Sequence, residues 1–267
     1  MQKFKVNRYQ IKTSRKAVGE QAVRLVLLSD LHGNCYGAEN QILLEEIERL
    51  RPDLIAMAGD MITAGTAQIP GGVVTLMKEL GEQYPVYYGN GNHETYMKEG
   101  EESEYRKAYQ NYKELLAACH IHILENERAR FPIRGMDITL FGLEIGQEYY
   151  GRFCYRRLRE EEVRTLLGKP DEDSFNLLIA HNPMGFEAYA KWGADLVLSG
   201  HLHGGFMRLP LVGGIISPQM HVFPKYDKGL YRRGKTSLVV SAGIGNHFPP
   251  PRIFNPREMV VIDLEGV

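Results

Sequence analysis

The chain has little of what marks a secreted, membrane-spanning or polyanion-binding protein. It carries three cysteines in 267 residues, Cys35, Cys119 and Cys154. They are too few and too scattered for a disulfide framework, and they suit a reducing compartment. No apolar run approaches the roughly 20 residues of a membrane-spanning helix. The first residues, MQKFKVNRYQIKTSRK, are basic but lack the apolar stretch of a signal peptide. Neither sign of charge is in excess: 32 Lys and Arg stand against 33 Asp and Glu, a net charge of −1. That balance gives no support to broad electrostatic binding of nucleic acid or of an anionic membrane. The expectation is a cytoplasmic chain with no integral membrane segment, peripheral contact with a membrane being left open.

What remains is an ordinary globular composition, 43% hydrophobic and 24% charged, which argues against disorder and against a fibrous protein. No internal repeat, low-complexity tract or long linker interrupts it, and residues 1–267 are read as a single domain. Short apolar runs alternate with helical patterns. Val23–Ser29, Leu54–Ala58 and Pro85–Tyr88 read as buried strands. Leu43, Ile47 and Leu50, then Val73, Met77 and Leu80, then Tyr105, Tyr109, Tyr112 and Leu116 lie at helical spacing between and after them. The first half is therefore βαβαβα, which favours a parallel sheet with helices on its faces. The second half is richer in strands, with candidates at His120–Leu124, Ile138–Leu143, Leu177–Ala180, Leu196–Ser199, Leu238–Ser241 and Met259–Ile262. A mixed or two-sheet α/β architecture follows. Residues 147–174, rich in Arg, Glu and Tyr, read as an excursion over the surface beside the site.

The chemistry-bearing residues stand just after the expected strands, where ligands of open α/β sheets collect. In order they are Asp30-Leu31-His32, Gly59-Asp60, Gly91-Asn92-His93-Glu94, His181 and Gly200-His201-Leu202-His203. On an extended segment, residues two apart share a face, so Asp30 with His32, and His201 with His203, can each meet one metal. Asp60 has two carboxylate oxygens and could bridge two ions. Asn92 offers an amide oxygen and His181 an imidazole. This N/O mixture suits Mn, Fe or Zn better than Ca. Each fragment alone has a plain structural alternative: a strand-end turn, a helix cap or a surface residue. Their order and placement favour the joint reading. His120 and His122 are read as alternating within a strand, and His221 and His247 as loop residues that at most touch substrate. Glu94 either orients His93 or is a solvated surface residue.

The series resembles the calcineurin-like metallophosphoesterases. The resemblance implies a four-layer αββα sandwich, two mixed sheets flanked by helices, with two divalent metal ions, manganese foremost and iron or zinc as alternatives. It implies that Asp30, His32, Asp60 and His203 hold one ion, and Asp60, Asn92, His181 and His201 the other. His93 would contact the phosphate and assist the leaving group. The segments Gly200-HLHGGFMRLP, Lys228-GLYRRG and Ser241-AGIGNHFPPPRIFNPRE are similar to the bacterial branch of cell-wall-associated and membrane-lipid-directed phosphodiesterases, some of which hydrolyse UDP-2,3-diacylglucosamine. Many members of that branch carry an N-terminal anchor or export signal; none is read here. The Asp-Arg-Gly that follows Gly-Asp in phosphoprotein phosphatases is replaced by Met61-Ile62-Thr63-Ala64-Gly65. The resemblance thus implies a hydrolase of phosphodiester or pyrophosphate linkages, acting on a small phosphate ester or a lipid headgroup. Two alternatives are a phosphomonoesterase or nucleotide hydrolase of the same fold, and a protein-binding scaffold that has lost catalysis. The scaffold predicts missing ligands or a missing His93, and every such position is filled. The Tyr149–Arg159 stretch offers aromatics and arginines for a nucleotide or headgroup, with a solvated loop as its alternative.

Overall fold

Alternate side chains of one strand go to different apolar cores, and that sorting sets the architecture. In β2 (Val23–Leu28), Leu25 and Leu27 join one cluster while Val26 and Leu28 join another. In β3 (Leu54–Ala58), Leu54, Ala56 and Ala58 go one way and Ile55 and Met57 the other. Strand side chains alternate between faces, so a strand apolar throughout must be covered on both sides. Each Leu, Ile, Val or Met among them, fully buried, contributes about 1.5–3 kcal/mol.

The computed structural model describes residues 4–13, 22–65, 68–205, 207–209, 212–246 and 252–266. The first half runs β1 (Lys5–Thr13), β2, α1 (Gln41–Leu50), β3, α2 (Gly71–Gln83), β4 (Val86–Gly89), α3 (Asn92–Glu99), α4 (Ser103–Ala118) and β5 (His122–Ile123). The second half runs β6 (Arg128–Ile133), β7 (Met136–Leu143), α5 (Glu160–Leu167), β8 (Phe175–Ala180), α6 (Phe186–Trp192), β9 (Leu196–Ser199), β10 (Arg208–Leu209), β11 (Gly213–Gly214), β12 (Gly229–Arg233), β13 (Thr236–Val240) and β14 (Glu258–Gly266). One six-stranded sheet has the order β1-β14-β2-β3-β4-β5 and the other β12-β13-β9-β8-β7-β6. β2, β3 and β4 pair in parallel, as do β7, β8, β9 and β13. β14 runs antiparallel to β2, and β6 and β12 close the second sheet with antiparallel pairs.

Three cores fill the layers. Val26, Ile55, Val86 and Met77 pack α1, α2 and α4 on the outer face of the first sheet. Leu25, Ala56, Leu177, Ile179 and Leu198 fill the space between the sheets. Phe141, Leu178, Val197, Phe186 and Trp192 pack α5 and α6 on the outer face of the second. The architecture is the αββα sandwich, two mixed sheets flanked by helices. The helical stripes fall where their spacing puts them: Leu43, Ile47 and Leu50 in α1, Val73, Met77 and Leu80 in α2, and Tyr109, Tyr112 and Leu116 in α4 are all buried.

β1, β6 and β12 lie outside the expected strands. All three are sheet edges with few buried positions: β6 alternates, with Ala129, Phe131 and Ile133 on the core side between exposed Arg128, Arg130 and Pro132, but none of the three is the continuous apolar run of a central strand. The expected strand at His120–Leu124 shrinks to β5, because His120 turns the chain with φ 58°. His120 and His122 therefore do not alternate within one strand. Residues 147–174 contain α5 but no strand, and Gln147 Nε2 donates to the Asn92 carbonyl at 2.8 Å. The excursion thus touches the strand-end loops.

Candidate metal centre

Five parallel strands end on one side of the molecule, and the chain turns sharply after three of them. φ is 53° at Asp30, 50° at His32, 55° at Asp60, 69° at His201 and 50° at His203. Left-handed backbone is uncommon outside glycine and costs of order 1–3 kcal/mol per residue, a strain that clusters at functional sites. The expected extended geometry of Asp30-x-His32 and His201-x-His203 is therefore wrong. Their side chains converge because the chain turns at each residue, not because a strand alternates.

Backbone bonds hold these turns against one another. Asp30 N–H donates to the Gly59 carbonyl at 2.9 Å and His32 N–H to that of Asp60 at 3.0 Å. Gly200 N–H donates to the His181 carbonyl at 3.1 Å, and Gly245 N–H to that of Asp30 at 2.8 Å. The turns after β3 and β4 touch through glycine. A Cβ on Gly59 would stand 2.3 Å from Gly91 N, and one on Gly91 would stand 2.2 Å from Asp60 Oδ1.

Glu94 ties the same two turns from beneath. It is fully buried, and its carboxylate accepts from the N–H groups of Asp60 (2.8 Å), Met61 (3.0 Å), Ile62 (3.3 Å) and Gly91 (2.9 Å), and from Tyr88 Oη (2.7 Å). The residue neither orients His93 nor faces solvent; both expected roles are corrected. Burial and the neighbouring Asp60 charge raise its pKa, while the donors oppose that rise.

The structure brings all eight expected site residues together. Asp30, His32 and His203 form one group, with His32 Nε2 3.2 Å from His203 Nε2 and His203 Nε2 3.5 Å from Asp30 Oδ1. Asp60, His181 and His201 form a second, with His181 Nε2 3.1 Å from Asp60 Oδ2. Asn92 Oδ1 lies 3.2 Å from that same His181 nitrogen. Asp60 stands between the groups. Its Oδ1 accepts the His93 N–H at 2.9 Å, while Oδ2 faces His181 and lies 4.0 Å from His32 Nε2. His93, with His32 and Asp60, makes a third close group. Unlike the buried residues of the first two groups, His93 and Asn92 are half-buried.

The donor set fits divalent cations. His181 Nδ1 donates to the Ala58 carbonyl at 2.5 Å, which aims Nε2 at Asp60. Burial alone would lower the His181 pKa, but the Asp60 carboxylate more than offsets it and pushes it up to about 9; a cation at Nε2 must displace that proton. His201 is pushed down to about 3 by burial and by the His181 charge, so its imidazole is neutral, and its buried Nε2 has no hydrogen-bond partner among the described residues. Burial also lifts Asp30 to about 6, and the Asp60 charge adds to this. Two buried carboxylates this close destabilise each other until a cation offsets them. One contact must open. Arg252 Nη2, a donor only, lies 3.1 Å from His203 Nδ1. An imidazole bound through Nε2 needs Nδ1 for its proton, so the guanidinium and a cation at His203 Nε2 exclude each other.

Two further residues of the centre lie in stretches that the sequence singles out, but their contacts are tertiary. Arg252 arrives from the segment before β14, and Tyr150 sets its ring 5.0 Å from that of His201 and 6.1 Å from that of His181. Glu94 stood in plain sight beside His93, but its burial is a tertiary property. His221 is buried in the loop after β11, and His247 lies outside the described residues.

Comparison with known proteins places the chain in a family. The metallophosphoesterase F40B5.2 of Caenorhabditis elegans is 29% identical over 251 residues, which cover 91% of this chain and 48% of the relative. The chain thus spans about half the length of that relative. The metallophosphoesterase YkuE of Bacillus subtilis is 27% identical over 269 residues, covering 96% of this chain and 84% of its own. Among solved structures, the phosphopantetheinyl hydrolase PptH of Mycobacterium tuberculosis superposes with a TM-score of 0.50 at 13% identity, over 86% of this chain and 91% of that one, a likeness of fold. The profile of the calcineurin-like phosphoesterases matches residues 23–205, a span that contains every residue of the two Asp/His groups. On that match and this geometry, the chain belongs to the calcineurin-like phosphoesterase family.

Proposed function

We propose that this chain hydrolyses phosphate esters with two divalent cations, manganese foremost and iron or zinc as alternatives, and that it favours phosphodiester or pyrophosphate linkages. The observation that carries the reading is the position of Asp60 Oδ2 between the two Asp/His groups. Asp30, His32 and His203 would hold one cation, His181, His201 and Asn92 the other, and Asp60 both. When bound, the cations supply Lewis acidity to the phosphoryl group and an attacking water acidified toward neutral pH. Glu94 and the Gly59–Gly91 contact keep Asp60 and Asn92 in register.

His93 has a separate task. Its Nδ1 accepts the Ala64 N–H at 3.0 Å, so the neutral ring carries its proton on Nε2. That nitrogen can donate to a phosphoryl oxygen or to the departing alkoxide.

The diester preference rests on the residues after Asp60. Where an Asp-Arg-Gly with its phosphate-gripping arginine would follow, the chain runs Met61-Ile62-Thr63-Ala64-Gly65 and supplies no guanidinium. A monoester dianion gains most from an added guanidinium, and a diester has less charge to neutralise. The test is kcat/KM of the manganese-loaded chain on matched chromogenic diesters and monoesters, with and without chelator. Chelator-sensitive hydrolysis with the diester preferred is expected. A strong monoester preference overturns the specificity, and hydrolysis of neither overturns the function.

A further inference from the structure

Apart from Tyr96 and Leu166, every exposed large apolar side chain among the described residues lies at 153–155, at Met184, at 207–223 or at 253–254. Isolated exposed apolar residues are ordinary; a concentration of them is not. Backbone bonds join these segments. Phe153 N–H donates to the Gln219 carbonyl at 2.9 Å, Phe223 N–H to that of Ile215 at 2.8 Å, Ile215 N–H to that of Met207 at 2.8 Å, and Arg208 N–H to that of Ile253 at 3.0 Å. The segments also border the metal centre. Tyr150 lies on His201, Gln219 and Asn182 both donate to the Tyr149 carbonyl, and Arg252 lies on His203.

We infer that this face docks on an anionic phospholipid surface and presents the metal centre to the headgroup layer. The tips are largely exposed: Phe153 is 62% exposed, Tyr155 75%, Val222 63%, Phe223 58% and Phe254 77%. Separate apolar tips of this kind suit insertion into an acyl–headgroup boundary, where aromatic rings are favoured. Charge complements them. Arg152 and Arg157 are exposed among the tips and make no ion pair among the described residues, although the chain as a whole is not basic. At the base lies an open cleft of about 440 Å³ lined by Tyr155, Arg157, Met184, His221 and Phe223. His221 stacks on Tyr155 at 4.7 Å, and its buried Nε2 has no hydrogen-bond partner among the described residues, which leaves a polar contact for a headgroup. No described helix is long and apolar enough to cross a membrane. The docking surface stands without the hydrolytic reading; only the role of the headgroup as substrate rests on it.

Vesicle co-sedimentation of the full chain tests this, using phosphatidylcholine alone and phosphatidylcholine with phosphatidylglycerol. The wild type should bind the anionic vesicles more strongly, and added salt should weaken that binding. Phe153→Ser with Phe254→Ser should lower the partition coefficient at least about tenfold while the melting curve stays unchanged, since both side chains are exposed. Arg152→Glu with Arg157→Glu should remove the preference for anionic vesicles. Phe153→Trp supplies an independent reading: the natural Trp192 is buried, so a blue shift on adding vesicles reports insertion at the tip. Wild-type protein that stays in the supernatant, or phenylalanine variants that bind undiminished, overturn the inference. A dimer that the same variants abolish, without vesicle binding, also overturns it and gives the face to a second copy. Vesicle binding by a protein that hydrolyses no phosphate ester leaves docking in place and removes the hydrolytic reading.

Discussion

Glu94→Gln should lower the melting temperature sharply although one atom changes. Oε2 accepts from two backbone N–H groups, those of Asp60 and Gly91, and Oε1 from two others, those of Met61 and Ile62. A glutamine must place its NH₂ against one pair or the other. Either way two buried donors face a donor, and no water reaches a site with 0% exposure. Each unsatisfied buried donor costs about 1–3 kcal/mol, so the pair costs roughly 4 kcal/mol. In a domain of this size that lowers Tm by roughly 8–16 °C. Circular dichroism melting of chelated wild type and variant measures it without a metal contribution. A shift below roughly 4 °C would refute the reasoning, since Glu94 would then not be holding the turns after β3 and β4.

Gly91→Ala tests the same junction sterically: φ at Gly91 is −94°, which alanine tolerates, but the new Cβ would stand 2.2 Å from Asp60 Oδ1, so manganese affinity should fall while Gly234→Ala, with open space around it, leaves it unchanged. Isothermal titration with Mn²⁺ compares the two, and equal affinities would contradict the packing. His93→Ala should keep the metal content and lose about 10²–10⁴-fold in kcat, more for an alkyl than for a nitrophenyl ester, because the better leaving group needs little protonation. Loss of metal, seen by elemental analysis, would make His93 a ligand instead. Away from the centre, Glu125 bonds to Lys113 and Lys98; burial acts against its ionisation, but the two ammonium groups more than offset it and hold the carboxyl down to about 2. A depressed folded pKa contributes stability that is fully present above the unfolded value of 4.5 and is lost as pH falls toward about 2. Urea denaturation of Glu125→Gln across that window should show a shallower loss of stability with acid than the wild type, and parallel slopes would contradict the ion-pair assignment.

The central strands and the metal-binding set were legible in the sequence for one reason: buried parallel strands are apolar throughout, so the polar residues that end them stand out. Asp30, Asp60, His181 and His201 each follow such a run, and the structure gathers them. The edge strands β1, β6 and β12 were not picked out because one face is solvated and none is a continuous apolar run. The mechanism of convergence was misjudged. Two-residue spacing predicts a shared face only in extended backbone, and positive φ at Asp30, His32, His201 and His203 replaces that geometry with turns. The contacts of Glu94, Tyr150 and Arg252 escaped for a different reason. Each acts through partners from other segments: the N–H of Asp60, the ring of His201 and Nδ1 of His203. Nothing in the local sequence of a surface excursion or of a C-terminal loop encodes those contacts.

Anomalous diffraction from a manganese-loaded crystal tests the central claim most directly. Two peaks are expected, one among Asp30, His32 and His203 and one among Asn92, His181 and His201, with Asp60 reaching both. A single peak at full manganese supply, or two peaks that Asp60 does not touch, would contradict a shared two-metal centre.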